Sequence, residues 1–318
     1  MCKLKIPAKD VKGFNYHPSY AFGGMEEWLY FDKEIWKKEL TRGKECFPKF
    51  NTVRVWLSWN AYCRMGDKFI DCVKTVIDIC RELGIYVIPC LFNRWHDPVI
   101  DADGIYIDHF LPNSSWLHKF GDPFKKYIED LAKNFKDEEQ ILVWDICNEP
   151  LAYNGDFPGR DFIEKYELEW LHRIADGLRA GKVSQPIGVG ATGGQPMETF
   201  GDISDVYLTH MYYINNLDNF KNVVQNFVNE AKKNNKEIIC TECIWGSLDD
   251  KKRSEYIRGT LDEFKKHGIG FVAHALWTSG CADIHDASEG PITPEIGNLA
   301  FIRADGTVRP YHELINEY

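Results

Sequence analysis

Short apolar runs rich in β-branched residues recur along the chain and alternate with longer amphipathic stretches. One of them, Ile85–Leu91, is apolar at both odd and even positions, which is typical of a strand covered on both faces in a parallel sheet. Runs of this kind predict eight strands: Val11–Tyr16, Thr52–Leu57, Ile85–Leu91, Ile141–Ile146, Pro186–Gly190, Val206–His210, Glu237–Thr241 and Gly270–Leu276.

The stretches between these strands predict helices. Phe69–Cys80 has apolar residues at helical spacing, and Gly84 then ends the helix. The same spacing predicts helices over Phe162–Leu178, Asn219–Ala231 and Lys251–Phe264. Alternating strands and helices indicate a parallel sheet, and eight such units in 318 residues predict one α/β domain, a closed (β/α)8 TIM barrel over residues 1–318. A doubly wound open sheet is the alternative architecture.

Charge narrows the classes of partner. The net charge is −10, from 48 acidic and 38 basic residues, so nucleic acid and anionic membranes are not expected to attract this surface. A neutral carbohydrate meets no such objection. The first residues contain no apolar signal segment, which predicts a cytoplasmic protein, although a secreted form with a trimmed signal stays open. The sequence does not indicate an oligomeric state.

Ten cysteines are scattered without the spacing of a disulfide framework, which favours reduced thiols. The one C-x-x-C segment is Cys240–Cys243. At a strand end, residues three apart have opposite parity, so these two side chains are predicted to point to opposite faces. This predicts neither a redox nor a metal role for the pair. Isolated histidines without ligand spacing likewise predict no catalytic metal.

Two glutamates follow predicted strands. Glu149 comes after the fourth strand in Asn148-Glu149-Pro150, and Glu242 ends the seventh. Because the carboxyl ends of barrel strands line the active site, these side chains are expected to converge across its mouth. Such a pair suits glycoside hydrolysis, where a separation of ~5 Å gives retention and ~6.5–9.5 Å gives inversion. The alternative for Glu149 is a cap on the following loop.

These motifs resemble glycoside hydrolase family 5 and the larger clan of retaining barrel glycosidases around it, over nearly the whole chain. The resemblance implies that Glu149 is the acid/base and Glu242 the nucleophile. It also implies a covalent glycosyl-enzyme and no cofactor.

The resemblance extends to supporting residues. Arg54 resembles the arginine beside the nucleophile, and Asn148 the residue that binds the sugar 2-hydroxyl. His210 and Tyr212 resemble a His-x-Tyr pair on the sixth strand, and Trp277 resembles the indole platform under the reacting sugar. Each has a structural alternative: an ion pair for Arg54, a buried histidine for His210 and core filling for Trp277.

Two departures point to sugar contacts. Many family members carry a histidine just after the third strand, whereas here Phe92 or Asn93 takes that place in the simplest alignment and His96 follows further on. Asn93, Trp95 and His96 are therefore candidate sugar contacts. Arg-x-Trp at strand two and Asn-x-Trp after strand three look more like the mannan-active branches than typical cellulases. Trp245, after the predicted nucleophile, is expected to wall an adjacent subsite.

Other aromatic residues are candidates for the cleft because sugar rings stack on indole faces. Trp56, Trp59 and Trp116 lie in or near predicted top-face loops, and only some of them are expected to touch substrate. The long loop Asn93–Phe120 predicts a partly closed site. Asn15 and Tyr16, at the end of the first strand, are further candidates.

Together these features predict a retaining β-glycoside hydrolase acting on a β-linked gluco- or manno-configured oligo- or polysaccharide. The missing signal segment favours small imported oligosaccharides. Two alternatives stay open: a non-hydrolytic carbohydrate-binding or sensing barrel, and a transglycosylase that uses the same two glutamates.

Overall fold

Eight parallel strands close into a barrel in chain order, and β1 pairs with both β2 and β8. The computed structural model describes residues 3–94, 103–112, 121–153, 155–283 and 298–318. Closure confirms the (β/α)8 barrel over the open sheet. The strands are β1 Lys12–Tyr16, β2 Thr52–Trp56, β3 Tyr86–Cys90, β4 Trp144–Asn148, β5 Ile187–Thr192, β6 Tyr207–Met211, β7 Ile238–Cys243 and β8 Gly270–Ala273.

Helices surround the barrel, and their ends carry the expected signals. Asp32, Ser58, Asn216 and Asp249 each accept backbone N–H bonds at a helix start. Gly84 takes the left-handed conformation after its helix. The described helices are α1 Glu26–Leu29, α2 Lys33–Cys46, α3 Trp59–Met65, α4 Asp67–Leu83, α5 Lys125–Phe135, α6 Arg160–Ala180, α7 Leu217–Lys233, α8 Asp250–His267 and α9 Gly280–Asp283. Short 3₁₀ turns occupy Ala8–Asp10, Ile107–His109, Met197–Phe200 and His312–Glu317.

The core has two parts. A large apolar cluster fills the space between strands and helices, and a smaller one contains Ile88, Leu208, Ile239 and Val272 from several strands. Ala8, in the first 3₁₀ turn, belongs to the smaller cluster and packs against β8. Apolar side chains therefore fill this part of the barrel interior. Among the described helices, none is long and apolar enough to cross a membrane.

Irregular register at the carboxyl ends of the strands breaks the alternation of faces. The pairing shifts between Asp145 and Asn148 and again between Cys240 and Cys243. Such bulges re-aim side chains near active sites. They also overturn the expectation for the C-x-x-C segment: both thiols are buried, and burial together with the neighbouring Cys240 thiol raises the pKa of Cys243. The two sulfurs thus face each other, because the bulge cancels the difference in parity.

Candidate active site

Glu149 leaves the end of β4 in a left-handed conformation, with φ 49°. Its N–H donates to the carbonyl of Gly190 at 2.8 Å, so the residue is still tied to β5. Leu151 is left-handed as well, with φ 57°. These conformations are uncommon for residues with a side chain and cost about 1 kcal/mol or more. The strand therefore stops here, and the Glu149 carboxylate, 18% exposed, meets Nδ1 of His210 at 2.8 Å.

Glu242 is the second-last residue of β7 and is almost fully buried. Nη1 of Arg54 donates to its Oε1 at 2.5 Å, and the hydroxyl of Tyr212 donates to its Oε2 at 2.9 Å. Nδ1 of His274 lies 3.5 Å from the same Oε2. Both carboxylate oxygens are thus fixed from separate directions.

A single imidazole lies between the two glutamates. Nδ1 of His210 is 2.8 Å from Oε1 of Glu149 and 3.6 Å from Oε2 of Glu242. One carboxylate oxygen of Glu149 lies within 4.8 Å of one carboxylate oxygen of Glu242. Carboxyl groups ~5–5.5 Å apart are typical of enzymes in which one carboxylate attacks the sugar directly, and ~6.5–9.5 Å of enzymes in which a water molecule lies between.

Arg54 is the centre of a buried polar network. It is fully buried, and its guanidinium donates to Asp145 at 2.8 Å and to the side-chain oxygens of Asn15 and Asn148 at 2.9 Å each. With the bond to Glu242, one cation faces two carboxylates. A planar guanidinium donates in several fixed directions, which a lysine ammonium cannot reproduce. The network fixes Arg54 without any help from substrate.

The surroundings set the charge of Glu242. Burial opposes ionisation, but His210, Arg54 and His274 together outweigh it and hold the pKa of Glu242 well below its usual range. Burial, followed by the charges of Glu242 and Glu149, raises the pKa of Tyr212 well above its usual value, so this hydroxyl stays protonated as a donor. An ionised carboxylate held by donors suits a nucleophile.

Asn148 is held at both ends of its amide. Its oxygen accepts from Arg54 and its nitrogen donates to Oδ1 of Asn93 at 3.0 Å. Asn93 is buried and also bridges in parallel to the backbone of Asn148. The structure thus places Asn93 as a support for Asn148.

A family model described as Cellulase (glycosyl hydrolase family 5) matches residues 15–280. The chain belongs to glycosyl hydrolase family 5. That family is one of glycosyl hydrolases. None of the curated protein sequences that were compared matches this chain.

Solved structures share the fold of this family 5 enzyme at low identity. An exo-β-1,4-mannosidase from Opitutaceae bacterium strain TAV5 superposes with a TM-score of 0.72 at 18% identity over 96% of this chain. An endo-1,4-β-D-mannanase from Thermotoga petrophila RKU-1 has a TM-score of 0.67 at 16% identity, covering 97% of this chain and 98% of its own. A GH5_18 protein from Streptomyces cattleya in complex with GlcNAc has a TM-score of 0.64 at 14% identity, over 96% and 80%.

The chain spans only part of the length of several similar structures. It spans 58% of the length of the mannosidase and 34% of that of a Bacteroides uniformis β-glucuronidase 2.

A second buried network, which the sequence did not indicate, supports the loop that carries Glu149. The guanidinium of Arg94 donates to Glu167 at 2.8 Å and to the hydroxyl of Tyr153 at 3.0 Å. The same Glu167 oxygen accepts from the N–H of Leu151 at 3.1 Å, two residues after Glu149. Glu167 lies on α6 and is fully buried. This network ties α6 to the turn that aims Glu149.

The role expected of Trp277 has to be corrected. β8 ends at Ala273, so His274 takes the position at the barrel mouth beside Glu242. Trp277 is buried and lines a depression on the outer surface with Arg42 and Gly306. The predicted strand Gly270–Leu276 was too long, and it therefore placed Trp277 at the barrel mouth, where it does not lie. Sequence reasoning missed His274 for the same reason.

The other tryptophan candidates differ in burial. Trp245 is half-buried, and its ring meets that of Tyr212 edge to face at 5.4 Å. Trp56 is half-buried beside Arg54. Trp59 is buried against Phe124 and belongs to the core.

Two candidates at the end of β1 have structural partners. Asn15 donates to the carbonyl of Thr241 at 2.9 Å, and Tyr16 donates to Glu39 at 2.7 Å. Both are buried. The predicted contacts Trp95, His96 and Trp116, and with them most of the long loop, lie outside the described residues.

Missed residues left different signals. Asp145 interrupts an apolar strand with a charge, and that pattern pointed to a buried partner, which is Arg54. His274 left a similar signal, a titratable side chain inside an apolar run, but the run reads as a continuous strand to Leu276 and conceals the strand end at Ala273. Arg94 and Glu167 are 73 residues apart, and no local pattern joins them.

Proposed function

We propose that this family 5 enzyme hydrolyses a β-linked saccharide with retention of configuration, using Glu242 as nucleophile and Glu149 as acid/base. One observation carries the proposal: a carboxylate oxygen of Glu149 lies within 4.8 Å of one of Glu242. That space does not accommodate a water molecule between a general base and a sugar, but it suits direct attack by one carboxylate.

In the first half-reaction, an oxygen of Glu242 bonds to the anomeric carbon while the glycosidic bond breaks. Protonated Glu149 gives its proton to the leaving oxygen, and the aglycone departs as an alcohol. In the second, ionised Glu149 takes a proton from water as the water oxygen attacks the same carbon. The bond to Glu242 breaks, and two inversions leave the configuration unchanged.

The surrounding residues match these two roles. Arg54 and Tyr212 keep Glu242 ionised and aimed, while His210 holds Glu149 at 2.8 Å. Glu149 is the more exposed of the two, which gives water access for the second half-reaction. The half-buried Trp245 provides an indole edge beside Tyr212, where a neighbouring sugar can stack.

The sugar we propose is manno-configured, with gluco-configured substrates as the nearest competitors. The mannosidase and the mannanase among the similar folds support this choice. Arg54-x-Trp56 and Asn93-x-Trp95 support it as well, because they resemble the mannan-active branches. Small β-1,4-linked manno-oligosaccharides are therefore the first substrates to test.

The mechanism is tested with Glu242→Gln and Glu149→Gln on aryl β-mannosides and aryl β-glucosides. Both variants should lose turnover, and Glu149→Gln should lose about 10²–10⁴-fold on poor leaving groups. With an activated leaving group, which needs no proton, Glu149→Gln should still form the glycosyl-enzyme and accumulate it. Glu129→Gln, at an exposed site on α5, is the matched control.

Product stereochemistry tests whether the configuration at the anomeric carbon is retained. Proton NMR of the first-formed product should show the β-anomer. An α-anomer, or full activity in either active-site variant, would refute the two roles. Binding of manno-oligosaccharides without cleavage would instead favour a sensing barrel, and products longer than the substrate at high acceptor concentration would favour transglycosylation.

A further inference from the structure

A second buried cluster lies next to the active site. His17 follows β1, Glu27 lies on α1 and Cys281 lies on α9. Each offers a nitrogen, oxygen or sulfur atom, and the three atoms all lie within 4.8 Å of one another. The residues are 2%, 0% and 8% exposed, so the cluster is closed to bulk solvent. The proposed glycosidase mechanism uses none of them.

The hydrogen bonds within the cluster leave one oxygen unused. Nδ1 of His17 bonds to Oε1 of Glu27, but Oε2 of Glu27 is buried and has no hydrogen-bond partner among the residues that the structure describes. An unpartnered buried carboxylate oxygen is costly and requires a reason.

We propose that His17, Glu27 and Cys281 bind a divalent transition-metal ion such as Zn²⁺. A carboxylate and a thiolate together carry two negative charges, which a divalent ion neutralises while the imidazole stays neutral. The mixed N, O, S donor set suits Zn²⁺, whereas Mg²⁺ and Ca²⁺ prefer oxygen ligands. Three protein ligands leave the fourth tetrahedral position for water.

The scaffold holds the three ligands in place independently of an ion. The N–H of Cys281 donates to the carbonyl of Ala21 at 3.1 Å, and the hydroxyl of Tyr20 donates to the carbonyl of Glu27 at 2.6 Å. A Cβ atom at Gly280 would lie 2.3 Å from the ring of Phe22, so only glycine allows α9 to approach this closely. The segment after β1 is thus bonded to both α1 and α9.

The position of the site suggests what the ion does. The ring of His17 lies 6.4 Å from that of His274, which in turn contacts Glu242. A bound ion would fix α9 to the end of β1 directly behind His274. We therefore assign it a structural role, one residue removed from the nucleophile.

Metal binding is measured directly on the full chain. Protein stripped with a chelator and then dialysed against Zn²⁺ should retain about one equivalent per chain by elemental analysis. Replacement with Co²⁺ should give a thiolate-to-metal charge-transfer band and the strong visible bands of tetrahedral coordination. X-ray absorption of the zinc form should show one sulfur neighbour per ion.

The variants separate this site from other thiols. Cys281→Ser should retain no equivalent of Zn²⁺, and its Co²⁺ form should lack the charge-transfer band. Zn²⁺ should raise the Tm of the unaltered chain but not that of this variant. Cys63→Ser, at an exposed cysteine, is the control and should behave like the unaltered chain. Retention of the ion by Cys281→Ser would place it elsewhere, for example at Cys240 and Cys243, and would overturn the proposal.

Failure of the unaltered chain to bind Zn²⁺ or Co²⁺ in tenfold excess would overturn it too, whatever the variants do. These measurements do not use glycoside turnover. Their outcome is therefore independent of the proposed reaction and its sugar.

Discussion

Nη1 of Arg54 lies 2.5 Å from Oε1 of Glu242, and both side chains are buried at the end of the barrel. This pair links the scaffold to the proposed chemistry, because the charge of one residue sets the protonation of the other. Arg54 is one of the groups that hold the pKa of Glu242 well below its usual range.

Arg54→Lys should shift the acid limb of the kcat/KM profile to higher pH. A lysine ammonium cannot reproduce the multiple bonds of the guanidinium, so the pKa of Glu242 rises and the nucleophile is protonated at a higher pH. The measurement is a pH profile on an activated aryl glycoside. Arg258→Lys, at an exposed pair with Glu317, should leave the profile unchanged. An acid limb that does not move would show that Arg54 has no part in the ionisation of Glu242.

Tyr212→Phe should lower kcat by about tenfold or more with little change in fold stability. The change removes one donor to Oε2 of Glu242 and keeps the ring that packs against Trp245. Pre-steady-state kinetics should locate the loss in glycosyl-enzyme formation or breakdown. Tyr213→Phe is the control, because its ring packs against Tyr256 away from the glutamates. Unchanged kcat in Tyr212→Phe would contradict the donor role.

Glu167→Gln should impair proton donation more than nucleophilic attack. The change weakens the bonds to Arg94 and to Leu151 that hold the turn after Glu149. Substrates with poor leaving groups should lose more turnover than activated ones, because only the former need a well-placed acid. A general loss of stability would reduce both by the same factor. Equal losses across leaving groups would therefore reject a positioning role.

His312 should make the free energy of unfolding depend on pH. Burial, with Arg253 and Arg309 nearby, lowers the pKa of His312 to about 2. The unfolded chain takes up this proton near pH 6.5, while the folded chain stays neutral, so stability falls as pH drops from about 6.5 towards 2. The slope for one group is at most about 1.4 kcal/mol per pH unit.

The test is urea unfolding at several pH values for the chain and for His312→Phe, which keeps the edge-to-face contact with Phe301. The variant should lose less stability between pH 7 and pH 5. His172→Gln, at a more exposed histidine, should retain the original slope. Equal slopes in all three proteins would mean that His312 does not titrate as described.

The barrel was predictable because its signals are local. Both-face apolar runs such as Ile85–Leu91 mark buried parallel strands, and the carboxyl ends of such strands meet at one edge. Glu149 and Glu242 follow the strands that face each other across the barrel, so their convergence followed from strand order. Arg54 was predicted from the family resemblance, and the structure places it beside Glu242.

The wrong predictions arose where the local sequence pattern does not reveal strand register or the end of a strand. An apolar run through Leu276 concealed the end of β8, which put Trp277 where His274 lies. Bulges reversed the facing of Cys240 and Cys243, and a bulge has no reliable sequence signature. The contact between Arg94 and Glu167 depends on how α6 docks, which only the folded chain determines.

The charge of the buried Arg54 is compensated only when several strands of the barrel are in place. Asn15, Asp145 and Glu242 come from β1, β4 and β7, and Arg54 itself comes from β2. A half-assembled barrel would hold this cation without some of its counterparts in a dehydrated interior, and that arrangement is strongly penalised. Assembly of β1, β2, β4 and β7 therefore also brings together the groups that hold Glu242, the proposed nucleophile, ionised. A chain without one of these strands would lack part of that support.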